Sequence, residues 1–353
     1  MRILAAMSGG VDSSVVAALL AAEGHEVVGV TLQLYDFGVA SGRKGACCAG
    51  QDIHDARRVA DHLGIPHYVV DREARFRAAV VDDFARSYAE GRTPVPCVRC
   101  NQTVKFQDLV ALANDLGAEA VATGHYARRI EGVGGPELHR AADPARDQSW
   151  FLFATTRAQL ARVRFPLGEW PDKAAVRAEA ERLGLPVAAK ADSQDLCFVP
   201  SGRYAELVAR LRPDAAASGE IVAEDGRVLG THGGIAGYTV GQRRGLGNAG
   251  WDGGARRQVV ALDAGRRRVV VGPQGAGTRR VVLGEVNWLV PPPADGLRCT
   301  AKLRARETPQ PALIRATEGG VEVELDEPAL PAPGQACVLY EGSRLLGGGF
   351  IQE

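Results

Sequence analysis

The chain has 353 residues, 46% apolar and 24% charged, and its 42 basic and 42 acidic side chains balance to a formal net charge of zero. That length exceeds what one hydrophobic core usually organises, so two or three domains are expected, and the composition excludes a disordered or membrane-embedded chain. No apolar run is long enough to span a bilayer, the stretch before Gly9 and Gly10 is too short for a secretory signal, and seven scattered cysteines do not resemble an extracellular disulfide framework. The expected compartment is the cytoplasm.

In chain order, "RILAAM" is a short apolar strand. The Ala-rich segment through Val15 and Ala22 follows as a helix starting near Val11, then "HEVVGVTLQL" as a β-branched strand. Ala56, Val59, Ala60 and Leu63 fall at helical spacing before Gly64, and "PHYVV" reads as the next strand. Leu109, Leu112, Ala113 and Leu116 mark a further helix ending at Gly117, and "AEAVATGHY" a strand running into a loop. This alternation predicts a parallel sheet covered by helices on both faces, with ligands at the carboxyl ends of its strands. After about residue 205, glycine and proline become frequent and strand-like pieces shorten ("RRVVVG", "RVVLGEVNWLV", "VEVELD", "ACVLY"), which is all-β texture. Residues 241–310 carry thirteen basic and five acidic side chains, a phosphate-backbone footprint or a solvated face of a β-domain. Five of the 42 basic residues are lysine, a preference attributed in part to compositional bias of the source genome.

Chemistry enters at "MSGGVDSS", residues 7–14, where the first strand hands over to the first helix. Gly9 and Gly10 let successive amides face inward and the helix adds its N-terminal partial charge, both of which favour phosphate. Ser8, Ser13 and Ser14 offer hydroxyls, and Asp12 offers a carboxylate to orient Mg2+. The loop lacks the GK[ST] of a Walker A motif, and SGGxDS resembles the PP-loop of ATP pyrophosphatases, which transfer AMP to a substrate oxygen and release pyrophosphate. The loop does not distinguish amidating synthetases from sulfur-using enzymes.

Two cysteine motifs make that distinction. "GRTPVPCVRCNQTVKF" at 91–106 holds Cys97 and Cys100, and "KADSQDLCF" at 190–198 holds Cys197. With SGGVDSS at 8–14, "ATGHYAR" at 122–128, "RDQSWFL" at 146–152, "HGGIAGYTVGQRRGLG" at 232–247 and "PGQACVLYEGSRLLGGGFI" at 333–351, the chain resembles the tRNA-specific 2-thiouridylases of the MnmA type along its whole length. The resemblance implies an α/β fold class: an N-terminal parallel-sheet PP-loop domain over 1–205, a small central β-rich domain over 206–280 and a C-terminal β-barrel over 281–353. It implies ATP-dependent replacement of the C2 oxygen of the tRNA wobble uridine by sulfur. Cys197 would be the persulfide carrier and Cys100 the nucleophile acting with it.

Nucleotide contacts carried over by motif are Ala6, Met7, Ser8, Gly9, Gly10, Val11, Asp12, Ser13, Leu32 and Gly124; Leu32 stands where the family often has methionine. Contacts to tRNA are Val95, Pro96 and Cys97 at the target base, with His125, Arg146, Asp147, Gln148, Arg304, Ala305 and Gln335. The implied partners are tRNA and a persulfide-carrying donor, either a cysteine desulfurase or a sulfur relay protein, with no membrane or DNA partner. Asn101 is expected to cap a helix starting after Cys100. The thiols are expected to have lowered pKa values near cationic groups or helix N-termini. Many relatives carry Asp in place of Cys97, which leaves three readings. Cys97, Cys100 and Cys197 hold three corners of a [4Fe–4S] cluster; or they hold zinc, for which no fourth protein ligand is matched and water would complete the site; or Cys97 is a spare resolving thiol beside persulfide chemistry. Cys47 and Cys48 read as plain loop cysteines, Cys299 and Cys337 as core, and His125 alternatively as a packed strand-end histidine. Two other functions compete. A PP-loop amidating synthetase leaves the paired cysteines unexplained, and a non-catalytic Fe–S or RNA-binding protein leaves the ATP loop unexplained.

Overall fold

The computed structural model describes residues 1–35, 48–192, 196–199, 204–275, 277–292, 296–317 and 320–352, except the side chains of Cys48, Ala49 and Asp252. Cys47, the Cys48 side chain, most of the 35–50 loop and residues 193–195 of the second cysteine motif therefore lie outside the described residues. The chain divides into two compact units, the first formed by 1–79, 97–198 and 343–345, the second by 80–96, 199–342 and 346–353.

The first unit is built on a five-stranded sheet. Its strands are β1 (Arg2–Ala6), β2 (Glu26–Gln33), β3 (His67–Asp71), β4 (Ala120–Ala122) and β7 (Val163–Arg164), in the order β3-β2-β1-β4-β7. Every pairing in it is parallel. Period-two alternation puts Ile3 and Ala5 on the face packed by α1 (Val11–Ala22), α2 (Cys48–Leu63) and α4 (Lys173–Arg182), while Leu4 points the other way and is equally inaccessible. A strand buried on both faces explains why β1 reads as a continuous apolar run. The helix α3 (Phe106–Asp115) precedes β4, and the hairpin β5 (Ala127–Gly132) and β6 (Gly135–Arg140) follows it. Since β2 and β3 lie on one side of β1 and β4 and β7 on the other, the order reverses between β1 and β4, where such sheets bind ligands.

In the second unit, the change of texture at residue 205 meets one more helix than expected, α5 (Tyr204–Leu211), with the Tyr204 ring stacked 5.3 Å from that of Tyr88. Beyond it, β8 (Gly219–Ala223), β9 (Val228–His232), β10 (Trp251–Asp252), β11 (Ala255–Asp263) and β12 (Arg268–Pro273) form a sheet ordered β10-β11-β12-β8-β9 around Ile221, Val259, Val269 and Val271.

The remaining strands are β13 (Thr278–Trp288), β14 (Leu297–Lys302), β15 (Gln310–Thr317), β16 (Gly320–Ala329), β17 (Ala336–Glu341) and β18 (Arg344–Ile351). They run β13-β16-β15-β14-β17-β18, and β13 closes the barrel by pairing with β18 as well. Closure depends on an irregularity in β13: the register shifts between Gly284 and Asn287, around Glu285 at φ 47°, so one half of the strand serves β16 and the other β18. The expected α/β domain followed by a β-rich module and a β-barrel is what the chain forms.

Candidate functional site

The loop after β1 sits at the reversal of strand order. Met7 is still tied to the sheet, its N–H donating to the Val30 carbonyl at 2.8 Å and its carbonyl accepting from Thr31 Oγ1 at 2.7 Å. Gly9 then turns at φ 73°, and a Cβ there would stand 2.1 Å from the Asp52 carbonyl oxygen, so only glycine satisfies both backbone and space. Gly10 precedes α1 without a side-chain cap, which leaves the first amides of the helix open to an anion. The serines divide their roles. Ser8 is exposed, with its N–H donating to Ser13 Oγ at 3.1 Å, whereas Ser14 Oγ is turned inward to the Gly10 carbonyl at 2.8 Å and braces the loop instead of offering a donor. Gly124, after β4, lies against the start of α1: a Cβ there would meet Ser13 N at 3.0 Å and Asp12 Cβ at 3.1 Å. Of the expected nucleotide residues, Ala6 to Ser13 and Gly124 are thus brought together, and Leu32 lies near the end of the neighbouring β2.

Two lysines from distant segments converge on this loop. Lys173 Nζ lies 2.5 Å from Asp12 Oδ1 and 3.2 Å from Asp192 Oδ1, and Tyr126 donates its hydroxyl to the same Asp12 oxygen at 2.7 Å. Asp192 also takes Arg177 at 2.7 Å and Arg146 at 3.2 Å. Lys190 Nζ donates to the Gly9 carbonyl at 3.0 Å and pairs with Asp52 at 2.7 Å and Asp55 at 2.6 Å. Burying an ammonium is tolerated because each has two carboxylates. Within "RDQ", Asp147 accepts from the Ala141 and Ser149 amides at 3.1 Å and Gln148 Oε1 from the Tyr126 amide at 3.0 Å, so both fold their own loop, while Arg146 is exposed.

The thiol motif is helical from its first residue. Pro96–Cys100 is one helical turn, Asn101–Lys105 widens into a π-helical turn, and α3 continues from Phe106. Cys100 is therefore inside the helix and Asn101 does not cap one; its Nδ2 donates to the Phe151 carbonyl at 3.1 Å. Wide turns of this kind place residues five apart on one face, which carries Lys105 toward the side of Cys100. Cys100 is buried, while Cys97 and Cys197 reach the surface with part of each residue, their thiols crowded by the surrounding protein. The three thiols, two of them three residues apart and the third nearly a hundred residues away, feel one another and the Lys105 charge.

The expectation of lowered thiol pKa values is corrected. Desolvation raises all three, Cys197 to about 12, and the opposing pull of Lys105 does not cancel it. Burial works against the charge of Lys105, yet the Cys100, Cys97 and Cys197 thiolates together raise its pKa. His125 is driven down to about 3 by burial and then by Lys105; Thr123 Oγ1 lies 2.9 Å from its Nδ1, and its ring packs 6.0 Å from Phe106 and 6.2 Å from Phe165. Among the described residues, no three His, Cys, Asp or Glu side chains stand close enough to hold a metal ion. Cys97, Cys100 and Cys197 as arranged do not fit a [4Fe–4S] cluster.

The other expected contacts belong to the second unit. Val95 and Pro96 are buried. In the second unit Arg304 Nη2 donates to the Val240 and Leu330 carbonyls at 3.2 and 3.1 Å, Ala305 is half-buried, and Gln335 Nε2 donates to the Thr93 carbonyl at 3.3 Å. Cys299 and Cys337 are buried in the barrel core, as expected. Sequence reasoning missed Lys105, Tyr126, Lys173, Lys190 and Asp192. A signal was present: lysine occurs five times in the chain, and three of the five are at this site.

The fold and loop define a class, a HUP-type α/β domain joined to β-barrel modules. Family profiles match accordingly: tRNA methyl transferase HUP domain over 1–201, tRNA methyl transferase PRC-barrel domain over 207–273, and aminomethyltransferase beta-barrel domain over 278–351. A tRNA-specific 2-thiouridylase MnmA of Acidiphilium cryptum (strain JF-5) is 68% identical over 99% of this chain and 100% of its own length. One of Gluconobacter oxydans (strain 621H) is 63% identical over 99% of each. Among solved structures, a 4-thiouridine synthetase–RNA complex with bound ATP aligns over 60% of this chain and 50% of its own with 18% identity and a TM-score of 0.37. The chain belongs to the tRNA-specific 2-thiouridylase (MnmA) family. No helix among the described residues is long and apolar enough to cross a membrane.

Two measurements follow from the titrating groups. Alkylation of Cys197 in the tRNA-free protein, read by mass spectrometry, should be slow at neutral pH and keep rising beyond pH 10; a plateau near neutrality would contradict the raised pKa. His125 is a base whose folded pKa lies below its unfolded value, so its neutral form contributes stability that is complete above about pH 6.5 and lost as pH falls toward about 3. Urea unfolding should show a loss on the order of 2 kcal/mol between pH 7.5 and pH 5 that His125→Asn removes.

Proposed function

We propose that the chain catalyses ATP-dependent 2-thiolation of the wobble uridine, position 34, of tRNA. The observation that carries the reading is the clustering, in the unit that bears the nucleotide loop, of Cys100 and Cys197 with Lys105. The uridine C2 oxygen attacks the α-phosphorus of ATP, and pyrophosphate leaves. The loop amides and the open N-terminus of α1 support that phosphate chemistry. Magnesium arrives on the nucleotide's own phosphates, and Asp12 is the loop carboxylate that would meet it.

A persulfide-carrying donor protein charges Cys197. The terminal persulfide sulfur attacks C2 and expels AMP, and the Cys100 thiolate then attacks the Cys197 sulfur, freeing the thiolated base and leaving a Cys100–Cys197 disulfide. Alternatively Cys100 attacks first and releases sulfide to C2. Either order oxidises two thiols to one disulfide, which two electrons from a cellular thiol restore. Lys105 favours the thiolate forms. No step is routed through an iron–sulfur cluster.

The target base must be turned out of its stack to reach the site. Val95, Pro96 and Cys97 are assigned to the base, and His125, Arg146, Asp147, Gln148, Arg304, Ala305 and Gln335 to the rest of the tRNA. Residues 1–205 supply ATP binding and catalysis, 206–280 the central domain and 281–353 the barrel, in a cytoplasmic enzyme.

Pyrophosphate release from ATP should require tRNA. Cys100→Ser and Cys197→Ser should each lower thiolation at least a thousandfold while leaving tRNA affinity within about threefold. Release indifferent to tRNA but stimulated by a small amine would instead identify an amidating synthetase. Protein purified without oxygen should contain well under one iron per chain; near-stoichiometric iron and labile sulfide, lost in Cys97→Ala, would overturn the persulfide route.

A further inference from the structure

Tryptophan occurs four times in the 353 residues, and one of the four stands on the surface. Trp251, the first residue of β10, is 51% exposed, whereas Trp150 is buried and Trp170 and Trp288 are half-buried. We propose that Trp251, backed by Arg256, is a stacking platform for an unpaired nucleobase of tRNA, with arginines of the same segment meeting the adjoining phosphates. The inference rests on the tRNA-thiolating reading above and adds a nucleic-acid subsite to it.

The hairpin fixes where the ring stands. Gly253 and Gly254 both take positive φ, 55° and 99°, as a tight two-residue turn requires, and the resulting register sets Trp251 directly opposite Arg256 across β10 and β11. The Arg256 guanidinium carbon lies over the indole, 5.1 Å from the ring centroid. Arg257, the next residue, is buried, and its Nη1 donates to the Trp251 carbonyl at 3.3 Å. Just upstream, Leu246 and Ala249 belong to the same core as Val259 of β11. The backbone of Trp251 is thus braced from both directions while its side chain faces solvent.

An exposed apolar side chain needs no ligand on that ground alone, since such residues are common on surfaces. What singles out Trp251 is its company. A cation held against the indole orients the ring and makes the platform positive, and both properties favour a base joined to phosphate. Residues 241–268 carry seven arginines and two aspartates, an excess of five positive charges that suits a phosphate backbone and disfavours a basic partner. Arg243, Arg244 and Arg256 are exposed. A base can offer its π-face only outside a helical stack, so the occupant is a looped or terminal nucleotide of the tRNA and not its paired stems. Every base has such a face, so the platform reads an unpaired state more than a sequence.

The test titrates the full chain with tRNA, with a short single-stranded oligouridylate and with a blunt RNA duplex, and follows tryptophan fluorescence. The tRNA and the oligouridylate should quench the parent, the duplex should not, and Trp251→Phe should lose the quenching because the other three tryptophans are buried or half-buried. In parallel, Trp251→Ala should weaken tRNA binding about tenfold and Trp251→Phe within about threefold, with AMP affinity held within about twofold as the check on folding. The deficit of Trp251→Ala should persist as salt is raised, whereas that of Arg243→Gln should shrink, since only a phosphate contact releases counterions. Unchanged tRNA affinity in Trp251→Ala, equal losses in the Ala and Phe variants, or quenching by the duplex as strong as by the single strand would each overturn the platform. Absence of quenching in the parent would do the same and leave the surface to a protein partner. The comparison of parent with Trp251→Phe decides the matter even where Trp251→Ala fails to fold. If RNA quenches Trp251 but tRNA gains no sulfur from ATP and a persulfide donor, the thiolation reading fails and the platform stands; thiolation without quenching removes the platform alone.

Discussion

The arrangement of the first unit depends on the ion pair between Lys173 and Asp12. Asp12 stands at the start of α1, where the helix needs open amides for phosphate, and a negative side chain there works against an anionic ligand unless a cation offsets it. Supplying that cation from α4 fixes how α4 docks on α1, and Val176 and Ala180 of α4 accordingly share one core with Val15, Val16 and Ala17 of α1. Apolar packing and the ion pair therefore specify the same placement. Asp192 extends the link to the segment just before Cys197 and, through Arg146, to the loop folded by Asp147 and Gln148.

Thiol chemistry is placed in an environment that suppresses it at rest. Desolvation outweighs Lys105 at each of the three cysteines, so the free protein holds them mainly as thiols. A standing thiolate is open to oxidation and alkylation, and a thiol whose ionisation waits on its surroundings is protected from them. Lys105 is the group already in place to favour the thiolate once the balance changes.

Much of this was legible in the sequence because local rules sufficed. The apolar run of β1, the glycine turn and the Ala-rich helix obey periodicity and turn chemistry that neighbours alone decide, and the repeating strand texture beyond residue 205 is equally local. The misses share a different origin. Asn101 looked like a cap because a helix was expected to begin after Cys100, whereas the helix starts at Pro96 and widens at 101–105, a change of period that no residue type announces. The thiol pKa values rise rather than fall because desolvation depends on what packs around each thiol, which no residue type in the sequence announces. Tyr126 matters through Asp12, 114 residues away, and Asp192 through Arg177, 15 residues away, distances over which pattern reading has no purchase.

Lysine usage offers a way past that limit. In a chain with 42 basic residues and five lysines, arginine serves wherever a cation merely solvates a surface. Guanidinium is planar and broad, and it suits carboxylates approached side-on; ammonium is compact and can be surrounded by oxygens from several directions. Lys190 takes a backbone carbonyl and two carboxylates at 3.0, 2.7 and 2.6 Å, a convergence that a planar fork cannot reproduce in the same space. Lys173 bridges Asp12 and Asp192 in the same manner. Where composition pushes toward arginine, a surviving lysine marks a position at which the shape of the cation matters, and three of the five such positions lie at the nucleotide loop and the thiols.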